Sequence, residues 1–337
     1  MSDQFRPRSV GVFSRQEIFG DGLYKVIFLR GLRSAFPGAT LTWMTTLDTV
    51  FARSLSSVAG PPLLDQVVEF CGIGKKPLEL LKPRPRGLGP FDLIIDTQSV
   101  LVPTIQLWRI PHRRFVSATF HRRGLDGAPH GVHILDRLFG LLELAAGHRV
   151  ERDLSPLPLP APLVAAAEAA LPGPASGRIA LAPGAGGENK IWPLDRFIAL
   201  AQSQAARGRQ AVFLLGPKEA PWRERIGAEA PGALFPEEHP AFAAAVEAGS
   251  AQPLRAVAVA ARCAAGVAND AGPGHMIAGS GTPLLSLFGP SSPEKFRPIC
   301  TRSMMVRAQD FGGPEMTRIP VEAVQDALEA LILSASR

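Results

Sequence analysis

The sequence predicts an α/β protein made of two tandem domains, each a mostly parallel sheet covered by helices. Three observations carry this expectation. Short apolar runs alternate with helical patterns in βαβ order. A proline-rich stretch near residue 154 interrupts the alternation, which then starts again. The chain has 337 residues, close to the length of two ordinary domains.

In the first half, Val10 to Phe13 reads as a buried strand. From Leu23 to Phe36 the apolar residues Leu23, Val26, Ile27, Leu29, Leu32, Ala35 and Phe36 recur at helical spacing, and Pro37-Gly38 ends the run. Leu41 to Thr45 is the next strand, Asp48 to Leu55 a short helix, and Val67 to Phe70 and Leu93 to Ile95 further strands. The segment Leu154 to Gly177 carries six prolines, partly extended with room for one Ala-rich helix, and marks the boundary. Domains over 1–155 and 177–320 are expected, joined by a linker over 156–176, with a terminal helix from 321 that can pack back on the first domain. In the second half, Ile179 to Ala182, Ala211 to Leu215, Ala265 to Ala268 and Leu284 to Phe288 read as strands. Leu194 to Ala206, Leu254 to Cys263, Gly274 to Ser280 and Val321 to Leu333 read as helices. Ligands of such sheets bind beyond the C-terminal strand ends, so a cleft between the domains is the default site.

Composition narrows the class. Apolar residues make up 46% and charged residues 20%, enough for a real core. Lys plus Arg number 36 against 30 Asp plus Glu, a net charge of +6, which permits anionic partners without identifying them. Three cysteines exclude a disulfide scaffold, and Cys71, Cys263 and Cys300 lack metal-ligand spacing. Met1 to Arg8 is polar, and apolar runs stop well short of ~18 residues, so a reduced, cytoplasmic, soluble protein is expected. There is no DxD, HExxH or GxSxG.

Three glycine-bearing turns between strand and helix carry the chemistry. In Ile18-Phe19-Gly20-Asp21-Gly22, the glycines allow a tight turn, and Asp21 reads either as a helix cap or as a general base. In Ala182 to Pro193, Gly184, Gly186 and Gly187 expose backbone N–H groups suited to phosphate oxygens, Lys190 adds positive charge, and the following helix adds its positive end. That spacing fits neither GxxxxGK[ST] nor GxGxxG, and a surface loop is the plainer alternative. Trp192 reads as core packing rather than ligand stacking. In Asn269-Asp270-Ala271-Gly272-Pro273-Gly274-His275, Asp270 and the N–H groups suit a diphosphate or ribose, while His275 can face the ligand or simply pack. Ser291 and Ser292 can cap a helix or donate to phosphate. Basic tracts at Lys75, Lys76, Lys82, Arg84 and Arg86, and at Arg109, His112, Arg113, Arg114, His121, Arg122 and Arg123, read as a solvated face or as a surface for an anionic acceptor or membrane leaflet. A single Tyr and poor aromatic interleaving argue against nucleic acid.

Together these residues resemble glycosyltransferase family 9, which holds the lipopolysaccharide heptosyltransferases. PGAGGENKIWPLDRF (Pro183 to Phe197) is similar to the family's phosphate loop and its Lys-x-Trp-Pro. Asn269 to Pro298 is similar to its Asp-Thr-Gly-x-x-His stretch, Gly-Thr-Pro and Phe-Gly-Pro-Thr-x-Pro. Gly20 to Thr45 resembles the first Gly-Asp turn, helix and second strand, and Phe91 to Gln98 the strand ending in Asp-x-Gln. The resemblance implies a GT-B fold, two Rossmann-like domains facing across a cleft, acceptor first and donor second. It implies Asp21 as general base and Lys190 as the cation that neutralises the departing diphosphate. It implies a donor site of Gly184, Ala185, Gly186, Gly187, Asp270, Ala271, Gly272 and His275, with Glu219 of GPKE on the ribose. Acceptor contacts are expected from Gly20, Gly22, Arg109, Arg113, Arg114, Arg122 and Arg123. The implied reaction is inverting and metal-independent, without a cofactor. ADP-heptose is the implied donor and a lipid-linked anionic sugar at the inner leaflet the acceptor, for a monomer in transient membrane contact. The chain departs from the family pattern at Ile27, where Pro is usual, at Ala185 or Gly186, where a hydroxyl is usual, and at Ala271, where Thr is usual. Alternatives at this point are a transferase of the same fold using another nucleotide sugar and a silent nucleotide-binding scaffold. A dehydrogenase is disfavoured by the missing GxGxxG.

Overall fold

A computed structural model describes residues 5–81, 83, 87–247 and 253–335. Residues up to Asp153 form one compact unit and residues from Leu154 onward a second.

The first unit runs β1 (Ser9–Ser14), α1 (Phe19–Ala35), β2 (Thr40–Thr45), α2 (Ser56–Ala59), β3 (Gln66–Val68), β4 (Phe91–Asp96), α3 (Leu101–Trp108), β5 (His112–Ser117) and α4 (Ile134–Ala146). Its five strands pair in parallel in the order β3-β2-β1-β4-β5. The chain turns from one side of β1 to the other between β1 and β4, which is where sheets of this kind open a crevice. α1 presents Leu23, Val26, Phe28, Leu29 and Leu32 to the core. Phe28 and Phe51 meet the fully buried Trp43 edge to face. Gly31 lets α4 approach, since a Cβ there would lie 3.0 Å from Phe139. Ile27 is buried in an unbroken helix that keeps the backbone bond a proline would remove.

The second unit runs α5 (Ala161–Ala170), β6 (Arg178–Ala182), α6 (Leu194–Ala206), β7 (Gln210–Phe213), α7 (Trp222–Glu229), α8 (Pro240–Glu247), α9 (Leu254–Ala260), β8 (Ala265–Asn269), α10 (Gly272–Gly279), β9 (Leu284–Phe288), α11 (Pro293–Phe296), β10 (Ser303–Arg307) and α12 (Val321–Ala335). Its strands also pair in parallel, in the order β10-β9-β8-β6-β7, and the chain reverses direction of travel between β6 and β8.

Several elements differ from expectation, each for a local reason. α1 begins at Phe19, four residues early, so Asp21 sits in its first turn rather than at the cap. The helix expected over Asp48 to Leu55 is a short 3-10 turn at Val50–Ala52 followed by α2, because the Thr49 side chain caps the Phe51 N–H and closes a tighter turn. β3 stops before Phe70, whose φ of 50° leaves the extended region. The segment 156–176, expected as a linker, belongs to the second unit, and α5 buries Leu163, Ala166 and Ala167. α12 packs within its own unit: Val324, Leu328 and Leu331 enter the apolar cluster of the second sheet. Lys82, Arg84 and Arg86 of the first basic tract lie outside the described residues.

Candidate active site

Each unit gathers polar groups at the C-terminal ends of its two central strands. In the first unit, the end of β1 and the segment after it line a pocket of about 300 Å³ with Ser14, Arg15, Gln16 and Ile18, together with Asp21, Tyr24 and Lys25 of α1, Thr97 and Gln98 after β4, and Ile134 and Leu138 of α4. Asp21 and Lys25 are one turn apart on α1 and share a face. The Lys25 ammonium is committed elsewhere. It donates to Glu17 Oε1 at 2.8 Å and to Ser14 Oγ at 3.1 Å. Glu17 in turn accepts from Trp43 Nε1 at 3.1 Å and Thr49 Oγ1 at 2.6 Å. Both charges are almost fully buried, so the pair is satisfied by bonds rather than by water. Burial pushes the Glu17 carboxyl upward, but the Lys25 charge and the bonds from Lys25, Ser14 and Thr49 outweigh it and hold the group below its ordinary range.

Asp21 is different. Burial raises its pKa, and the Lys25 charge and a hydrogen bond from Tyr24 return only part of the shift. The outcome is a half-buried carboxylate of raised basicity at a pocket wall, the state a general base needs. Tyr24 is pushed well above its ordinary value by burial and by Asp21, so it stays a donor. The far wall is set by Asp96 at the end of β4, which accepts from Thr104 Oγ1 at 2.6 Å, Ser117 Oγ at 2.8 Å and the Gln98 N–H at 2.9 Å. Burial raises its pKa, against the pull of these bonds. Asp96 therefore fixes the turn that carries Thr97 and Gln98.

The predicted acceptor contacts divide. Gly20 lies in the first turn of α1 beside Asp21. Gly22 is a packing position instead: a Cβ there would come within 2.5 Å of Val50 Cγ2 and 2.6 Å of Leu55 Cδ1. Arg122 and Arg123 follow the C-terminal end of β5, on the pocket side of the sheet, and are exposed. Arg109, Arg113 and Arg114 are not brought to the pocket. Phe91 pairs with His112 and Asp96 with Ser117, so these arginines stand at the opposite end of β5, Arg113 about 13 Å of strand from Ser117. Arg109 donates to the Leu80 carbonyl at 3.0 Å, Arg114 to the Leu144 carbonyl at 2.8 Å, and Arg113 faces Asp92 at 3.5 Å.

In the second unit, β6 and β8 are neighbours, and both glycine turns leave their C-terminal ends. Asn269 joins them. Its Nδ2 donates to the Pro183 carbonyl at 2.7 Å, and its Oδ1 accepts from the Trp192 N–H at 3.1 Å, so one side chain holds both ends of the 183–192 loop. Trp192 is fully buried against Phe197 and donates its ring N–H to the Ile319 carbonyl at 2.9 Å, a packing role as expected. Lys190 meets Asp270 across the two turns, Nζ to Oδ2 at 2.9 Å, with the lysine side chain 35% exposed and the aspartate 7%. Gly184 is buried over Glu219: a Cβ would lie 2.6 Å from the Glu219 carboxyl, and one on Gly216 2.7 Å from its Oε2. Ala185 and Gly187 are half-buried and Gly186 is exposed, with open space where its Cβ would be. α10 begins at Gly272 with Ala271 as its cap residue, and no side chain caps it, so its first N–H groups are served by no cap there. His275 is half-buried in the first turn and a half. Ser292 precedes α11 but gives its hydroxyl to Glu294 at 2.7 Å rather than capping. Sequence reasoning missed Glu17, Tyr24, Lys25 and Thr97, and it gave Asn269 no role although it named the residue. Among the described residues, no cluster of three His, Cys, Asp or Glu can hold a metal ion, and no helix is long and apolar enough to cross a membrane.

A model of glycosyltransferase family 9 (heptosyltransferase) matches residues 103–321. Lipooligosaccharide heptosyltransferase 2 of Haemophilus influenzae is 33% identical over 130 residues, which is 38% of this chain and 36% of that protein. Lipopolysaccharide heptosyltransferase 2 of Escherichia coli is 34% identical over 130 residues, again 38% and 36%. The alignment thus spans about a third of the curated relatives' length. Among solved structures, a family 9 glycosyl transferase from Veillonella parvula superposes with a TM-score of 0.71 at 18% identity, over 98% of this chain and 99% of that one. E. coli heptosyltransferase WaaC with ADP gives 0.63 at 17%, over 96% and 99%. These structures share the GT-B fold of two parallel-sheet lobes.

Proposed function

The chain belongs to glycosyltransferase family 9, and on that premise we propose that it is an inverting glycosyltransferase that moves a heptose from ADP-heptose to a lipopolysaccharide-core or related surface-glycan acceptor. The observation that carries the reading is the meeting of Lys190 and Asp270 at 2.9 Å over a loop of glycines, at the end of the two central strands. Backbone N–H groups of the 184–187 loop and the start of α10 suit the diphosphate. Asp270 holds Lys190 in place until the diphosphate arrives. Glu219, beneath Gly184, is suited to the ribose hydroxyls.

The acceptor hydroxyl oxygen attacks the anomeric carbon as the bond from that carbon to the diphosphate oxygen breaks. Asp21 takes the hydroxyl proton. The negative charge that develops on the departing nucleoside diphosphate is met by Lys190 and the loop N–H groups, each such donor being worth ~3–4 kcal/mol. No covalent intermediate, cofactor or divalent ion is part of the scheme. The acceptor is a lipid-linked anionic sugar, reached by a cytoplasmic monomer in transient contact with the inner leaflet.

Calorimetric titration with ADP, GDP and UDP, with and without Mg²⁺, tests the donor assignment. Selective ADP binding that persists without Mg²⁺ and falls in Lys190→Ala is the expected result. Selective binding of GDP or UDP would move the donor to another nucleotide sugar, a reading that the missing hydroxyls at Ala185 and Ala271 favour. Binding of none of the three would overturn the donor site.

A further inference from the structure

We infer that the outward face of α3, with the turn at residues 75–81 fastened to it, is a docking surface for the anionic surface of a lipid bilayer. α3 buries Pro103 and Leu107 as a surface helix should, but it also buries two polar residues and leaves large apolar side chains outside. Its buried side carries the polar residues Thr104 and Gln106, at 0% and 4% exposure. Its outward side carries Leu101 and Trp108, at 55% and 61% exposure, seven residues apart and so on one face. Ile105, half-buried, lies between them.

The buried polar pair explains how this face is held. Thr104 is bonded to Asp96. Gln106 accepts from the Gly74 N–H at 2.9 Å and donates to the Glu79 carbonyl at 2.8 Å, and Arg109 donates to the Leu80 carbonyl at 3.0 Å. Three hydrogen bonds thus tie the turn to the helix. The turn they hold presents Leu78 and Leu81 to solvent, at 73% and 81% exposure. A single exposed leucine needs no explanation, but four large exposed apolar side chains on two elements tied by hydrogen bonds do.

Charge selects the occupant. Lys75 and Lys76 are exposed on the same turn, Arg109 is exposed at the end of α3, and the Arg113 side chain is 71% exposed just beyond it. The acidic groups nearby are Glu79, half-buried within the turn, and Asp92, facing Arg113. Apolar side chains set among lysine and arginine match the boundary between anionic headgroups and acyl chains, where basic stems reach outward and leucine and tryptophan enter. This surface also gives a use to Arg109 and Arg113, which the first sheet places away from Asp21. The inference rests on the inner-leaflet contact in the proposed function, and its test reads vesicle binding rather than sugar transfer, so the two fail separately.

Trp108 is the natural reporter, because Trp43 and Trp192 are fully buried and Trp222 is half-buried. The full-length protein is mixed with phosphatidylcholine vesicles, plain or doped with phosphatidylglycerol, and followed by flotation and tryptophan emission. Binding to the doped vesicles with a blue shift, weakened by salt, is expected. Trp108→Phe should keep binding and lose the shift. Leu78→Ser/Leu81→Ser/Trp108→Ser should bind at least about tenfold more weakly with an unchanged melting temperature, since the side chains are exposed. Lys75→Gln and Lys76→Gln should each weaken binding roughly fivefold. Absence of vesicle binding, undiminished binding by the triple variant, or self-association that the triple variant abolishes without any vesicle binding would each overturn the proposal.

Discussion

Asp21 and Asp270 are both aspartates at the C-terminal edge of a parallel sheet, next to a lysine, yet their surroundings divide the chemistry. Asp270 is spent on its lysine, in an ion pair at 2.9 Å. Asp21 has its lysine one turn away, but Glu17 has already taken that lysine, at 2.8 Å. The first arrangement stations a cation where an anion can replace or share its partner. The second leaves a carboxyl group that burial makes more basic, against the pull of the Lys25 charge and the Tyr24 hydrogen bond. In the proposed mechanism, similar residues serve as charge holder in one unit and proton acceptor in the other because the nearest competing carboxylate differs.

The comparison breaks most sharply at Asp21. Asp21→Asn should lower the transfer rate by about 10²–10⁴-fold, the range for loss of a general base, and leave nucleotide affinity unchanged. Lys190→Ala comes next: a loss of about 10²-fold or more in turnover, with weaker ADP binding, since both the developing charge and Asp270 lose their cation. Lys25→Met sharpens the contrast by a route other than activity alone. It leaves Glu17 buried without its partner, costing about 3–5 kcal/mol of stability in denaturant unfolding, and it moves the acid limb of kcat/KM to higher pH. The sign follows from the cause: without the nearby positive charge, the carboxylate of Asp21 is harder to ionise, and it must be ionised to accept a proton. Glu17, whose pKa is shifted the other way, acts on stability. Its pKa is held down in the folded state, so its contribution is present above the ordinary glutamate range and fades as pH falls through the lowered value. Gly184→Ala should cost about 1–3 kcal/mol, since its methyl group meets the Glu219 carboxyl, and should weaken nucleotide binding several-fold in the same titration. The smallest effect belongs to Arg113→Ala, which with a soluble acceptor should change KM by less than about twofold, as for other exposed sites remote from a pocket.

The sequence revealed the two units and their central strands because buried parallel strands read as apolar runs bounded by glycine turns. α6 is legible to the residue, with Pro193 before it and a clean apolar stripe within it. The stretch from Leu101 to Ser117 was not legible as helix and strand. α3 buries Thr104 and Gln106 alongside Pro103 and Leu107 and leaves Leu101 and Trp108 outside, so its pattern misleads, and β5 opens with His112, Arg113 and Arg114, which read as a charge tract. The glycine loops marked where a ligand is expected. The pairings that tune them did not show: Glu17 and Lys25 are eight residues apart and meet only because the turn after β1 folds back along α1. Asn269 was visible beside Asp270, but its grip on Pro183 and Trp192 spans 86 and 77 residues, which no local pattern records.

The most direct test is heptose transfer from ADP-heptose to a deacylated core acceptor by wild type and Asp21→Asn, with ADP affinity measured on the same preparations. The account predicts a rate lower by about 10³-fold at unchanged ADP affinity. Transfer at close to the wild-type rate, or an equal loss of rate and ADP binding, would contradict it.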